Sequence, residues 1–148
     1  MLLTAKILLT IVTLGYSLIP AIADFNVTHA TNPAWTPHAR YHVVWQVMSY
    51  ICMALIALYL IWWNGDTFGP AALWLAAGLA ASAYAGFFAA AFAKPIYGGA
   101  QYDVNGVLPI HVPLGGKPVA LDVNMTVFSV MALLLAAAVF CLTQIVPS

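Results

Sequence analysis

The chain has 148 residues, of which 64% are hydrophobic and only 5% are charged. Its mean hydropathy of +0.97 lies far outside the range of soluble globular domains. Four Lys and Arg residues balance four Asp residues and Glu is absent, so the sequence offers no basic surface for nucleic acid. Composition therefore predicts one domain, residues 1–148, embedded in a lipid bilayer.

Four apolar stretches are long enough to cross a hydrocarbon core of about 30 Å. They predict transmembrane helices at about residues 3–23, 37–63, 70–93 and 124–145. The first stretch also has the features of a secretory signal, with Lys6 near its start and small residues at Ala21 and Ala23 ahead of a polar segment. We interpret it as a retained first helix, with signal cleavage as the alternative.

The second predicted helix begins in a polar and aromatic stretch. Thr36 is suited to the N-cap and Pro37 to the first helical position. A helix that begins there places His38 and His42 four residues apart on one face. Arg40 falls in the first turn, where the helix dipole disfavours a cation, so we expect an anion from another segment beside it.

Small residues recur at four-residue spacing in the third helix, at Gly78, Ser82 and Gly86. Such spacing permits helices to approach closely in lipid. We predict that this face is the packing spine of the bundle. The same Ala- and Gly-rich helix indicates a membrane-protein partner or self-association.

The longest polar connection spans residues 94–123. It contains Asn105-Gly106, the strongest short hairpin signal, between residues 101–104 and 107–112, and residues 117–121 would add a third short strand. Asp122 or Asn124 would cap the fourth helix. The predicted fold is an all-α membrane protein, a four-transmembrane-helix bundle in which a small β-hairpin-containing loop caps one end. The polar cap consists of residues 24–36 and 94–123.

Four crossings bring the two polar loops to one end of the bundle, which we call the histidine end. It collects most of the ionisable side chains: His29, His38, His42, His111, Arg40, Asp24, Asp103 and Asp122. The signal-like N-terminus favours a periplasmic or external histidine end, in a multi-pass protein of a bacterial inner membrane. The Lys and Arg count favours the opposite orientation. We interpret the end as external.

The spacing of His38 and His42 on a helix is typical of metal ligands, although no HExxH motif is present. His29 and His111 are candidates to complete a site for a divalent metal, together with Asp24 or Asp122. The alternative is that these histidines anchor the membrane interface through hydrogen bonds to loop carbonyls.

Arg40 would form an ion pair with Asp24 or Asp122 at the histidine end, because an isolated buried charge is costly. A catalytic interpretation uses the same residues. Arg40 would hold an anionic or carbonyl group of a substrate while Asp24, His38 or His42 moves a proton.

Several aromatic residues lie near the histidine end and are candidates to line a pocket for a bound lipid or pigment. The main candidate ligand-binding residues are Trp35, Tyr41, Trp45 and Tyr84, and Tyr50, Tyr97 and Tyr102 belong to the same aromatic set. The alternative is that they form the aromatic belt of the membrane interface.

One stretch carries a resemblance: Asp24-Phe25-Asn26-x-Thr28-His29, followed by Asn32-Pro33-x-Trp35-x-Pro37-His38-Ala39-Arg40-Tyr41-His42-x-Val44-Trp45-Gln46. It resembles a family of small four-helix integral membrane proteins that is known only as a domain of unknown function. Residues 94–99 and 103–106 resemble that family too. The resemblance implies the four-helix fold and no chemistry.

Two functions remain open at this point. The first is a small accessory or binding subunit of a larger membrane complex, whose histidine end docks a partner or lines a lipophilic pocket. The alternative is a membrane-embedded enzyme, an isomerase or a metal-assisted enzyme, acting on a lipophilic substrate with His38, His42, Arg40 and Asp24.

Overall fold

The computed structural model describes residues 1–64, 68–102, 104 and 106–145, without the side chain of Leu114. Four long helices and a two-stranded antiparallel hairpin make up the fold, which confirms the predicted class. Their bounds are α1 (Leu2–Asp24), α2 (Pro37–Trp62), α3 (Ala71–Tyr97), β1 (Ile110–Leu114), β2 (Lys117–Leu121) and α4 (Val123–Thr143).

Helix α1 is the centre of the bundle. It packs against each of the other three helices, and α3 packs in addition against α2 and α4. The C-terminal turns of α1, the third and fourth turns of α2, the C-terminal half of α3 and the first turns of α4 surround one cavity, so successive helices run in opposite directions. This arrangement brings the two long connections together at the histidine end.

Side-chain caps fix the start of α2 and of α4. The Thr36 hydroxyl accepts a hydrogen bond from the Ala39 amide at 3.2 Å, and Pro37 occupies the first position of α2. The Asp122 carboxylate accepts from the Met125 amide at 2.7 Å. Each cap satisfies an amide that has no partner inside its helix. Of the two predicted caps of α4, Asp122 is therefore the correct one.

Helix α3 continues one turn beyond its predicted end at Ala93 and includes Pro95. It stops at Gly98, which adopts the left-handed conformation with φ 68° and ψ 30°. The amides of Gly98 and Gly99 both donate to the Lys94 carbonyl, and the Lys94 ammonium lies in the last turn, where the helix dipole favours a cation.

The hairpin is present but lies further along the chain than predicted. β1 pairs with β2, and the two-residue turn between them is Gly115-Gly116, with φ values of 58° and 81°. Positive φ at both positions is what a type I′ turn requires, and glycine adopts it freely. Asn105 lies outside the described residues, and the described residues before Ile110 in this connection form no strand.

Helices α3 and α4 approach α1 closely at Gly15. A Cβ atom there would lie 2.7 Å from the Tyr84 hydroxyl of α3 and 2.8 Å from the Met131 sulfur of α4. The buried Tyr84 hydroxyl donates to the Val12 carbonyl at 2.6 Å. Because glycine lacks a side chain, α1 can receive both neighbours at this level.

The predicted packing spine of α3 is wrong for contacts within the chain. Gly78, Ser82 and Gly86 are exposed, and a Cβ added at either glycine would have no heavy atom within 4 Å. The face that α3 buries is a different one, made mostly of alanines together with Leu73 and with Tyr84, whose hydroxyl bonds to α1. It consists of Ala72, Leu73, Ala76, Ala77, Ala80, Ala83 and Tyr84.

At the opposite end of the bundle, α1 and α2 are joined by a polar contact. The Trp62 indole N–H donates to the Thr10 hydroxyl at 2.9 Å. The Lys6 ammonium lies 5.4 Å from the centroid of the Trp62 ring, within cation–π distance. Tryptophan commonly occupies the membrane–water interface, so this contact suits the end of a spanning helix.

All four helices are long and apolar enough to cross a membrane. Their most apolar segments have mean hydropathy between 1.6 and 2.5, yet only 28–39% of the residues in those segments are buried inside the bundle. Most of this apolar surface therefore faces outward, where a lipid bilayer covers it. The protein is an integral, multi-pass membrane protein.

The contact at Gly15 generates the first prediction. Gly15→Ala should destabilise the folded protein by about 1–3 kcal/mol, because the added methyl group overlaps the Tyr84 hydroxyl and the Met131 sulfur. Thermal unfolding of the purified protein in a mild detergent measures the effect. Gly78→Ala is the matched control, since its methyl group meets open space. Equal melting temperatures for the two variants would contradict the close approach of α1.

Candidate functional site

A cavity of about 410 Å³ opens among the four helices at the histidine end. Such a volume falls in the range of pockets that bind small molecules. The polar residues on its wall are Asp24, Gln46, Tyr50 and Asn124. The apolar ones are Ile19, Pro20, Ala23, Gly86, Phe87, Ala90 and Phe128.

Aromatic rings form one wall of the cavity and the layer beneath it. Phe87 of α3 stacks on Phe128 of α4 with ring centroids 4.1 Å apart. Tyr16 is fully buried and stands edge-on between Tyr50 and Tyr84, at centroid distances of 6.0 and 6.1 Å. This layer closes the space between the helices next to the cavity.

Gly86 keeps the wall of α3 open. It lines the cavity, and a Cβ atom at this position would have no heavy atom within 4 Å. A larger side chain at position 86 would therefore enter free space rather than displace a neighbour. This makes Gly86 a position at which the cavity can be filled without disturbing the bundle.

The connection after α1 is organised by the side chain of Asn26. Its amide nitrogen donates to the carbonyls of Ile22 and Ala23, which lie in the last turn of α1. Its amide oxygen accepts from both the amide and the hydroxyl of Thr28. Asn26 thus satisfies carbonyls that the helix end leaves free and turns the chain beside Asp24.

Asn32 fixes the second half of the same connection. It is buried, its amide nitrogen donates to the Thr28 carbonyl, and its amide oxygen accepts from the Ala34 amide. The Trp35 ring then stands edge-on to the His29 ring at 5.1 Å. The motif that carries the family resemblance therefore builds the loop that holds His29 next to the end of α1.

Asp24 and His29 form a carboxylate–imidazole pair beside the cavity. The His29 Nδ1 atom lies 3.7 Å from Asp24 and 2.7 Å from the Thr28 hydroxyl. Only the second distance is that of a hydrogen bond. Asp24 therefore interacts with His29 through space, and its side chain is only 19% exposed.

The predicted ion pair of Arg40 is wrong. Neither Asp24 nor Asp122 lies within 4.0 Å of the Arg40 guanidinium, and the described residues contain a single carboxylate–base contact, that of Asp24 with His29. The loop explains the difference, because it brings His29 rather than α2 to the Asp24 carboxylate. Asp122 is used as the cap of α4.

His38 and His42 meet as predicted on one face of α2. Their Nε2 atoms are 3.1 Å apart, and both side chains are exposed. One imidazole therefore donates a hydrogen bond to the other when no metal is bound. Two imidazoles on one tetrahedral zinc ion place their nitrogens about 3.3 Å apart, so the pair is close to chelating geometry.

The structure does not bring the other metal candidates to this pair. His29 contacts Thr28, Trp35 and Asp24, and His111 lies on the exposed strand β1. Across residues 1–64, 68–102, 104 and 106–145, no three His, Cys, Asp or Glu side chains assemble in a way that could hold a metal ion. Of the described residues at this end, His38 and His42 would therefore be the ones that hold a metal.

The four main aromatic candidates for ligand binding do not share a site. Tyr41 and Trp45 are exposed on α2 beside His42, Trp35 packs on His29, and Tyr84 is buried at the α1 contact. None of them lines the cavity. Of the four catalytic candidates, Asp24 lines it, whereas His38, His42 and Arg40 do not.

Of the residues that line the cavity, the sequence predictions include Asp24, as a catalytic candidate, and Tyr50, as one of the aromatic pocket residues. Gln46 was not predicted, although it lies four residues before Tyr50 on α2 and its amide is 3.5 Å from the Tyr50 hydroxyl. A polar residue at helical spacing from such a tyrosine in an apolar span is a signal that could have identified it. Asn124 is likewise a polar residue in an apolar span, at the start of α4. Nothing in the local sequence indicates Gly86 or Phe128.

The histidine pair leads to a prediction about metal binding. Zn²⁺ or Ni²⁺ should bind to the purified protein, and His38→Ala or His42→Ala should each weaken binding by at least about tenfold, because each removes half of the protein ligands. Isothermal titration calorimetry in detergent measures the affinity. His111→Ala is the control, since His111 lies on the hairpin. Equal affinities for all four proteins would contradict chelation by this pair.

One family model matches residues 7–112, more than half of the chain, and its description is a family of unknown function, DUF6640. The matched range contains every cavity residue of α1, α2 and α3, whereas Asn124 and Phe128 of α4 lie beyond it. No curated protein and no solved structure matches the chain. The chain belongs to DUF6640, a family of unknown function.

Proposed function

We propose that this protein is a small membrane binding subunit that holds a lipophilic small molecule among its four helices. The observation that carries the proposal is the cavity of about 410 Å³, to which all four helices contribute. Because every helix of the bundle lines the cavity, the packing of the four helices determines its shape. It lies at the histidine end, where helix ends and the membrane interface meet.

The chemistry of the wall supports an amphipathic ligand. Seven of the eleven lining residues are apolar or glycine, and the stacked rings of Phe87 and Phe128 form part of that surface. The polar groups Asp24, Gln46, Tyr50 and Asn124 come from the three helices α1, α2 and α4. An apolar wall with a few polar groups is typical of sites that orient a largely apolar molecule.

The geometry favours binding over catalysis. The catalytic hypothesis uses His38, His42, Arg40 and Asp24. Catalysis would need several of these residues around one substrate, and only Asp24 among them lines the cavity. The enzymatic alternative is then limited to Asp24 with His29 at 3.7 Å, acting on a ligand in the cavity. Chemical conversion of a bound lipophile by the purified protein would favour that alternative.

The outward face of α3 supports a partner helix in the membrane. Gly78 and Ser82 are exposed, and Gly78 offers space for a closely packed neighbour. Small residues on an exposed helix face permit the short interhelical distances at which backbones associate in lipid. We therefore include association through α3, with a second copy or with another membrane protein, in the proposed role.

The signal-like N-terminal segment favours an orientation in which the cavity opens on the outer side of a bacterial inner membrane. Arg40, Lys94 and Lys117 at the same end favour the opposite orientation. Labelling of a cysteine introduced at Val119, on the exposed strand β2, in intact cells decides between them.

Two substitutions on α3 test the two parts of the proposal separately. Gly86→Leu should fill the cavity and remove a bound lipophile, whereas Gly78→Leu should leave it in place and weaken association through α3. Both leucines enter open space, so both variants should fold. Native mass spectrometry of protein purified gently from its own membranes measures bound small molecules and bound subunits in the same spectrum.

The wild-type protein is expected to carry a near-stoichiometric lipophile. Its absence, or equal retention by wild type and Gly86→Leu, would overturn ligand binding in the cavity. A monomeric wild-type protein without co-purifying subunits would overturn association through α3 and leave the ligand question untouched.

A further inference from the structure

The cavity wall contains one carboxylate and no basic side chain. Asp24 is the only one of the eleven lining residues with a charged side chain, and no Lys, Arg or His is among them. Lys94 lines a smaller adjoining space of about 150 Å³, which shares Phe87 and Ala90 with the main cavity, and its ammonium donates to the Gln101 side chain. The electrostatic environment of a ligand in the main cavity is therefore set by a carboxylate.

The Asp24 carboxylate has unused capacity to accept hydrogen bonds. None of the described residues donates a hydrogen bond to it, and His29 stands 3.7 Å away with its Nδ1 atom engaged by the Thr28 hydroxyl. A carboxylate can accept about four hydrogen bonds. The carboxylate therefore has acceptor positions free on the cavity wall, where a charged donor supplied by a ligand would form a strong hydrogen bond.

The two amides on the wall add further acceptors. One N–H of Gln46 is directed to the Tyr50 hydroxyl, and one N–H of Asn124 donates to the Gln101 carbonyl at 3.3 Å. Within the described part of the chain, the amide oxygens of Gln46 and Asn124 accept no hydrogen bond. Acceptor sites on this wall consequently outnumber donor sites, and none of the donors is charged.

We infer that the ligand is an amphiphile whose head group donates hydrogen bonds, with a protonated amine preferred over a hydroxyl and a head group of net negative charge excluded. This inference rests on the proposed function and specifies its ligand class. The ammonium group contacts Asp24, and the apolar part lies along Phe87 and Phe128. An anionic head group would meet the Asp24 charge, and no Lys, Arg or His is among the residues that line the cavity to compensate it.

Three single-chain amphiphiles that differ only in the head group test the inference: dodecylamine, dodecanol and dodecanoate. Each is titrated into the delipidated full-length protein in one detergent, and binding is measured by native mass spectrometry. Gly86→Leu is measured in parallel, because it removes the cavity but not non-specific uptake. We expect dodecanoate to bind at least about tenfold more weakly than dodecylamine, with dodecanol between them.

Asp24→Asn should remove most of the preference for the amine while leaving dodecanol binding within about threefold, since the amide still accepts hydrogen bonds but carries no charge. Asp122→Asn is the matched control. It removes a carboxylate at the same end that does not line the cavity, and Asn is an equally good helix cap. If Asp24→Asn does not fold, the relative affinities of the three amphiphiles for the wild-type protein test the inference without it.

The outcomes separate this inference from the proposed function. Equal binding of the three amphiphiles to wild type, lost in Gly86→Leu, would overturn the head-group preference and keep the cavity as a binding site. Tighter binding of dodecanoate would also overturn it. If Gly86→Leu reduces the binding of none of the three amphiphiles, the proposed function itself is overturned. Selective retention of phosphatidylethanolamine over phosphatidylglycerol would support the inference with a membrane lipid as the source of the amine.

Discussion

The approach of α1 to α3 and α4 at Gly15 is the constraint on which the rest of the bundle depends. In lipid there is no hydrophobic driving force between helices, so close packing and buried hydrogen bonds hold them together. The Tyr84 hydroxyl supplies such a bond by donating to the Val12 carbonyl, at the level where Gly15 leaves room for its ring. One turn further along α1, from Ile19, the space among the helices is not filled and becomes the cavity.

The polar connection after α1 has a structural role that explains its unusual composition. Asn26 and Asn32 together make six hydrogen bonds to neighbouring backbone and hydroxyl groups. These bonds satisfy backbone groups that would otherwise have no partner at the helix end and in the buried loop. The loop therefore positions His29 against Trp35 and Asp24 without help from Arg40. A stretch rich in residues capable of catalysis can thus serve mainly to shape the mouth of a cavity.

The helices and their caps were predictable from sequence, because hydropathy, Thr36 and Asp122 act over short distances along the chain. The hairpin was predicted at Asn105-Gly106 and occurs at Gly115-Gly116, since both dipeptides suit a turn with positive φ and only pairing across the strands decides between them. The cavity could not be derived in this way. Gly86 and Phe128 acquire their role only when α3 and α4 are placed side by side.

The scarcity of charge in this chain gives Asp24 its significance. A carboxylate that is four-fifths buried costs free energy unless donors surround it, and the described residues offer it only the imidazole of His29 at 3.7 Å. The fold maintains this group at the end of α1, where Asn26 rather than Asp24 satisfies the last carbonyls of the helix. Because Asp24 is not needed to terminate the helix, its carboxylate remains available on the cavity wall. Under the proposed binding, selectivity would follow from this free acceptor, because a head group that donates to it gains a hydrogen bond that a head group without donors cannot make.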